Sequence, residues 1–250
     1  MVAAATAVSR AMQATIESVV TETPTVMMLR LKLEAPNNIG FAPGQWVDFH
    51  VPGLQAVGGY SICSTPSQLQ QTGTMDLCVK RSGHPCAQWV HAEASTGKQV
   101  SVAVGGSFTL QPDSCSKPCL FVAGGIGITA LSSMLGSLVE QQQQQQQQQP
   151  NAGELHQPRQ PFLLYSAAEP SEFALLKQLL HWQQAGAINM QLHTTRTHSL
   201  PPVLQEAINH QQQQQLQQQQ LQQQQMSEDV VQALLRLGLP HTSVHTERWW

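Results

Sequence analysis

Charged side chains are scarce in this 250-residue chain: Asp, Glu, Lys and Arg make up 11%, and the net charge is −3. The twelve Lys and Arg are scattered and form no basic stripe, which argues against a nucleic-acid partner. Glutamine, rather than apolar residues, fills the room left by charge. No apolar run approaches the roughly 20 residues needed to span a bilayer, so no membrane span is expected. The five cysteines (Cys63, Cys78, Cys86, Cys115 and Cys119) are an odd, scattered set with no Cys-x-x-Cys pair. They read as reduced structural thiols. His84 and His91 have neither a paired nucleophile nor a metal-ligand spacing. No acidic residue precedes Glu17, and the segment Met1–Ala14 is Ala-rich with one basic residue, Arg10. That composition suits an organelle transit peptide and makes the mitochondrion the expected location. A frayed end is the alternative reading of residues 1–14.

From Thr15 to about Pro112 the pattern is all β. Ile16–Val20, Val26–Leu33, Gln45–Val51, Tyr60–Ser64, Met75–Lys80 and Val100–Val104 read as six strands between Pro, Gly and Asn breakers. Six short strands in so few residues predict a small barrel or sandwich over 15–112. From Pro118 onward strands alternate with helical stripes, which predicts an α/β unit with a parallel sheet over 113–250. Its strands are Cys119–Ala123, Phe162–Ser166 and Ile188–Thr194. Its first helix carries Ile128, Leu131, Leu135, Leu138 and Val139. Ser171 is placed to cap a second helix bearing Phe173, Leu176, Leu179 and Leu180, which stops at Gly186. Ser227 is placed to cap a last one with Val230, Val231, Leu234 and Leu235. Glutamine tracts at 141–149 and 211–225 interrupt this half. They bury too little apolar surface to offset the entropy of ordering, so disorder is the expectation. Helical extension is the alternative that glutamine's propensity leaves open.

The densest signal is Leu120-Phe-Val-Ala-Gly-Gly-Ile-Gly-Ile-Thr129, an apolar strand that enters a glycine turn and opens a helix. Gly125-x-Gly127-x-x-Ala130 fits the dinucleotide fingerprint with Ala in its last place. Gly124, Gly125 and Gly127 let the backbone turn sharply and admit a pyrophosphate, at which the helix N-terminus then points its N–H groups. Thr129 stands at the helix start, where its hydroxyl can reach a phosphate or ribose. Ser166 ends the next strand, and ligands of open α/β sheets lie at strand ends.

Four segments in order carry a family resemblance: Pro43-Gly44-Gln45-Trp46-Val47, Gly59-Tyr60-Ser61-Ile62-Cys63-Ser64, Gly124-Gly125-Ile126-Gly127-Ile128-Thr129, and Glu247-Arg248-Trp249-Trp250. Over residues 15–250 the chain resembles the ferredoxin–NADP reductase superfamily. The resemblance implies an antiparallel six-stranded barrel that binds FAD or FMN, followed by a Rossmann-like domain that binds NAD(P)H. It implies that Tyr60, Ser61, Ile62 and Cys63 line the flavin. Tyr60 would offer a ring face, and the Ser61 hydroxyl would donate to flavin N5, making these two the candidate catalytic pair. Where the superfamily holds the flavin phosphate with an arginine, this chain has Gly58. Lys80 or Arg81 is then the candidate phosphate cation. Thr195-Arg196 resembles the pair that grips the 2′-phosphate of NADP, and Trp250 corresponds to the aromatic that lies over the flavin. A strand ending in Cys-Gly-Pro is implied near residue 225. No Cys-Gly-Pro occurs in the sequence, and the second glutamine tract stands in its place.

The function implied is hydride transfer between NAD(P)H and a flavin, with an onward electron acceptor that the sequence does not identify. The alternative is a catalytically impaired two-domain relative that acts as a nucleotide- or protein-binding module.

Overall fold

The computed structural model describes residues 11–110, 119–148 and 160–196. The linker at 111–117, the second glutamine tract, the helix expected from Ser227 and Trp250 lie outside them.

Six strands form the first layer: β1 (Met12–Thr23), β2 (Val26–Leu33), β3 (Trp46–His50), β4 (Val57–Ser61), β5 (Thr74–Lys80) and β6 (Gln99–Gly105). They run in the order β4-β3-β6-β1-β2-β5, every neighbouring pair antiparallel. The sheet curls into a barrel that does not close fully. Its seam between β4 and β5 is held by the bridge Ile62↔Leu77 and by the Cys63 N–H donating to Asp76 O at 3.0 Å. Alternation along the strands sends Ile16, Leu29, Leu31, Val47, Phe49, Leu77 and Val102 inward, all fully buried. The first strand begins at Met12, ahead of the expected Thr15, because Ala14 pairs with Leu33 and Val100 and belongs to the core.

This half also carries two short helices. Helix α1 (Pro66–Thr72) is capped by Thr65, whose Oγ1 accepts from the Gln68 N–H, and ends on Gly73 in the left-handed region. Helix α2 (Pro85–Ala92) is capped by His84 through Nδ1. Both open with proline in the first turn, where its missing N–H costs nothing.

The second layer is a parallel sheet of β7 (Leu120–Gly124), β8 (Phe162–Ala167) and β9 (Asn189–Thr194), in that order, with helices α3 (Ile128–Gln148) and α4 (Leu176–Gln184) in the crossovers. Two expectations are corrected here. Residues 141–148 of the first glutamine tract are not disordered but continue α3. The helix is already nucleated and anchored by Leu138 and Val139, so each further glutamine adds a hydrogen bond at little propensity cost, and Gln142 is itself buried. Ser171 does not cap α4. It lies in a single 3-10 turn, Pro170–Glu172, and α4 starts only after Leu175, a non-glycine residue at φ 60°.

A tertiary clasp replaces the missing cap. The Leu175 N–H donates to Glu22 Oε1 of β1 at 2.6 Å, while Glu172 accepts from the hydroxyls of Thr25 at 2.5 Å and Thr23 at 3.3 Å. Each layer thus supplies a carboxylate to the other. Replacing Glu22 with alanine orphans the N–H of a residue already in a costly conformation. We expect a loss of about 1–3 kcal/mol, read as a lower thermal midpoint. An unchanged midpoint would show that the clasp contributes nothing.

The two layers also share β5. Met75, Leu77 and Val79 face the barrel core, while Cys78 on the opposite side joins Val26, Cys63, Phe121, Leu135 and Tyr165 in the second core. Between these faces Asp76 is buried and paired with Arg30 by two bonds of 2.8 Å, and it accepts from Gln68 at 3.0 Å. This pairing, through the Asp76 carboxylate, raises the Arg30 guanidinium pKa further above its ordinary value.

Candidate nucleotide and flavin sites

At the end of β7 the chain turns through one 3-10 turn, Gly125–Gly127, directly into α3. Gly125 sits at φ 50°, and a Cβ there would meet nothing within 4 Å, so the turn has an open side. The turn takes up the first N–H of α3, which Ile128 donates to Gly125 O. The parallel register sets Gly124, Ser166 and His193 side by side across the three strands, at their carboxyl ends. The Ser166 hydroxyl donates to Ala123 O at 3.3 Å, and the Thr195 N–H donates to Ala167 O at 2.9 Å. Exposed Arg196 follows immediately. The Thr129 side chain behaves differently from its expectation. It is buried, and its hydroxyl donates to Ile126 O at 2.9 Å, so its proton braces the turn instead of reaching outward.

The second cluster is at the seam of the barrel. Tyr60 and Ser61 end β4. The hydroxyls of both are buried, and neither has a hydrogen-bond partner among the described residues. The Tyr60 ring packs edge-on against Phe49 with centroids 5.6 Å apart. Burial pushes its phenol pKa well up. Ile62 and Cys63 are placed otherwise. Ile62 is fully buried in the barrel, with its N–H donating to Gln45 O at 3.0 Å. The Cys63 thiol donates to Asp76 O at 3.2 Å and lies 3.9 Å from the Cys78 sulfur, a neighbour that, with burial, raises its pKa. The side chains of Ile62 and Cys63 are therefore packing groups, and their N–H groups are used within the fold.

Exposed Lys80 ends β5, beyond the Leu77 that bridges to Ile62. Helix α2 follows just beyond. Its cap His84 accepts from the Cys86 N–H at 3.3 Å, and the buried Cys86 thiol donates to Ala56 O at 3.2 Å. His91 is tied by Nε2 to Val79 O at 3.0 Å. Residues 86 and 87 supply no hydroxyl here, and both are core.

Sequence reasoning missed the polar staple between the halves. Glu140 at the end of the apolar part of α3 accepts from Thr65 Oγ1 at 2.7 Å and Ser67 Oγ at 2.6 Å. The sequence signal was there: a Thr-Pro-Ser helix start, and one acid at the edge of a glutamine tract.

Residues 117–248 match the ferric reductase NAD binding domain family. A zebrafish (Danio rerio) protein named oxidoreductase NAD-binding domain-containing protein 1 is 32% identical over 93% of this chain and 89% of its own length. The chain belongs to this oxidoreductase family. Against the bovine (Bos taurus) protein of the same name, the match is 37% identical and spans 65% of this chain and 52% of that protein. Among solved structures, the flavohaem-like FAD/NAD binding domain of nitric oxide dioxygenase from Vibrio cholerae superposes with a TM-score of 0.63 at 16% identity, covering 94% of this chain and 97% of that one. Ferredoxin–NADP+ reductase from Plasmodium falciparum gives 0.58 at 14%, covering 76% and 72%. These likenesses show the ferredoxin–NADP reductase fold that the motifs implied. The family match makes residues 117–248 an NAD binding domain.

Proposed function

We propose that this protein is a flavin-dependent NAD(P)H oxidoreductase that passes reducing equivalents to a further acceptor. The observation that carries the reading is the glycine turn: an open-sided Gly125 at the carboxyl edge of a parallel sheet, running straight into a 21-residue helix. An anionic pyrophosphate suits that position, where backbone N–H groups and the helix dipole favour negative charge. Gly124, Gly125, Gly127 and Ser166 are assigned to the dinucleotide. Thr129 holds the turn in shape, and Arg196 is assigned to a 2′-phosphate, which favours NADPH.

The barrel residues fit a flavin in one specific respect. Tyr60 Oη and Ser61 Oγ are both buried and unsatisfied among the described residues, and a buried hydroxyl without a partner costs about 1–3 kcal/mol. A ligand bearing polar ring and ribityl groups would relieve that cost. Tyr60 and Ser61 would hold the flavin, with Lys80 as its phosphate cation. When bound, a flavin supplies the redox centre that takes hydride from a nicotinamide. Of the protein's own groups, Tyr60 would bind and exclude water, and Ser61 would hold a proton toward the ring nitrogen that accepts hydride.

A second reading is kept because two sequence features favour it. Gly58 removes a phosphate-binding arginine, and no Cys-Gly-Pro is present. A relative so altered would bind the nucleotide without turnover.

The readings separate in one measurement. The full chain is purified, its visible spectrum recorded with and without added FAD or FMN, and NADPH or NADH is added anaerobically. We expect flavin absorbance near 450 nm that bleaches faster with NADPH. A protein that takes up no flavin, or whose bound flavin stays yellow with both nucleotides, overturns the enzyme reading.

A further inference from the structure

The Tyr60 ring lies directly over the backbone of Gly58. A Cβ built at Gly58 would stand 2.6 Å from ring carbon Cε2 and 2.9 Å from both Cζ and Oη. Carbon atoms in proteins do not approach so closely, and the obstacle is a rigid ring packed in place, not the end of a flexible chain. With the ring where it is, only glycine fits at 58.

The strand register explains why the two residues meet. Gly58 lies opposite Phe49 and Tyr60 opposite Val47, and Phe49 and Val47 both point into the barrel core. Residues 58 and 60 thus share the side of β4 that faces the barrel core, and Tyr60 packs against that core where β4 ends. The Tyr60 edge contact with Phe49 and the bare backbone of Gly58 together fix where the ring lies. Tyr60 is only partly buried in this setting, so it keeps some accessible surface although its hydroxyl is enclosed. A planar aromatic ligand can meet such a ring through its accessible part, by offset or edge-on contact.

We propose that Gly58 is a positioning residue: its missing side chain seats the Tyr60 ring, and that seat, in place of a cation at 58, is how this chain receives the flavin ring. The inference rests on the flavin reading given above. It has a consequence opposite to the one the superfamily resemblance implies. Restoring an arginine by Gly58→Arg would add a phosphate ligand but unseat the ring, and flavin binding would weaken.

The test uses the full chain labelled with 3-fluorotyrosine. The sequence contains two tyrosines, Tyr60 and Tyr165, so the fluorine spectrum has two resonances, and Tyr60→Phe identifies them. In Gly58→Ala and Gly58→Arg the Tyr60 resonance should move while the Tyr165 resonance stays, the latter serving as the check that the protein is folded. FMN and FAD should each bind at least tenfold more weakly to both variants, by fluorescence titration. If the arginine variant does not fold, Gly58→Ala and Gly58→Ser carry the comparison. An unmoved Tyr60 resonance in the folded variants, or tighter flavin binding by Gly58→Arg, overturns the proposal. If the resonance moves but the unsubstituted chain binds neither flavin, the seat of the ring stands and the flavin reading falls.

Discussion

Replacing Gly125 with valine should weaken NADPH binding by at least 100-fold while leaving the fold in place. The two effects separate because of where the new side chain goes. Gly125 is at φ 50°, a conformation that costs an L residue roughly 1–2 kcal/mol, so some stability is lost. No atom lies within 4 Å of the Cβ position, so no clash with the protein adds to that cost. The valine methyls instead occupy the open side of the turn, the space a pyrophosphate needs to reach the helix N-terminus. A fluorescence or calorimetric titration with NADPH, beside a thermal melt, checks both halves. Unaltered affinity in a folded variant would mean that the dinucleotide does not lie at this turn.

The largest loss of stability is expected from Tyr165. Its ring is fully buried in the second core, packed edge-on against Phe173 with centroids 4.9 Å apart, and its hydroxyl accepts from the Ala174 N–H at 3.0 Å. Tyr165→Ala leaves a cavity the size of a ring and an orphaned N–H, just before the left-handed Leu175. Large aromatic-to-alanine changes cost about 3–5 kcal/mol, which lowers the thermal midpoint by about 10 °C in a chain of this size. Tyr165→Phe keeps the ring and should lose only about 1–2 kcal/mol. Burial also pushes the Tyr165 phenol up, above the ordinary value near 10. The native state therefore holds this proton more tightly than the unfolded chain does. That contribution is complete below pH ~10 and is lost as the pH rises beyond it, and it is absent in Tyr165→Phe. Equal melting of the two variants and the unsubstituted chain would refute this account of the core.

How far the sequence could be read follows from what each signal encodes. Alternation fixed the strands because one face of each is buried: Val26–Leu33 appears with its expected limits, and the other five shift by a few residues. The glycine turn was legible because its constraint is local, a positive φ between a strand and a helix. Ser171 misled because serine is a common cap, while the group that holds the start of α4 is Glu22, more than 140 residues away. Ile62 and Cys63 were assigned to a ligand by their place in a motif, but a motif does not show which face of a strand is inward. Thr129 was placed correctly at the helix start, yet the direction of its hydroxyl depends on the 3-10 turn before it. The close approach of Tyr60 to Gly58 had no sequence signal beyond the glycine itself.

The double burial of β5 bears on how the protein comes apart. One face of this strand completes the barrel, and the other, through Cys78, completes the core beneath the parallel sheet. The core beneath the parallel sheet takes Val26, Cys63 and Cys78 from the barrel and does not close without them. Melting should then be a single cooperative event, and a proteolytic fragment ending near residue 110 would carry an uncovered strip along β5, prone to pairing with other chains. The strand that lies between the two cores makes the barrel and the parallel sheet one thermodynamic unit.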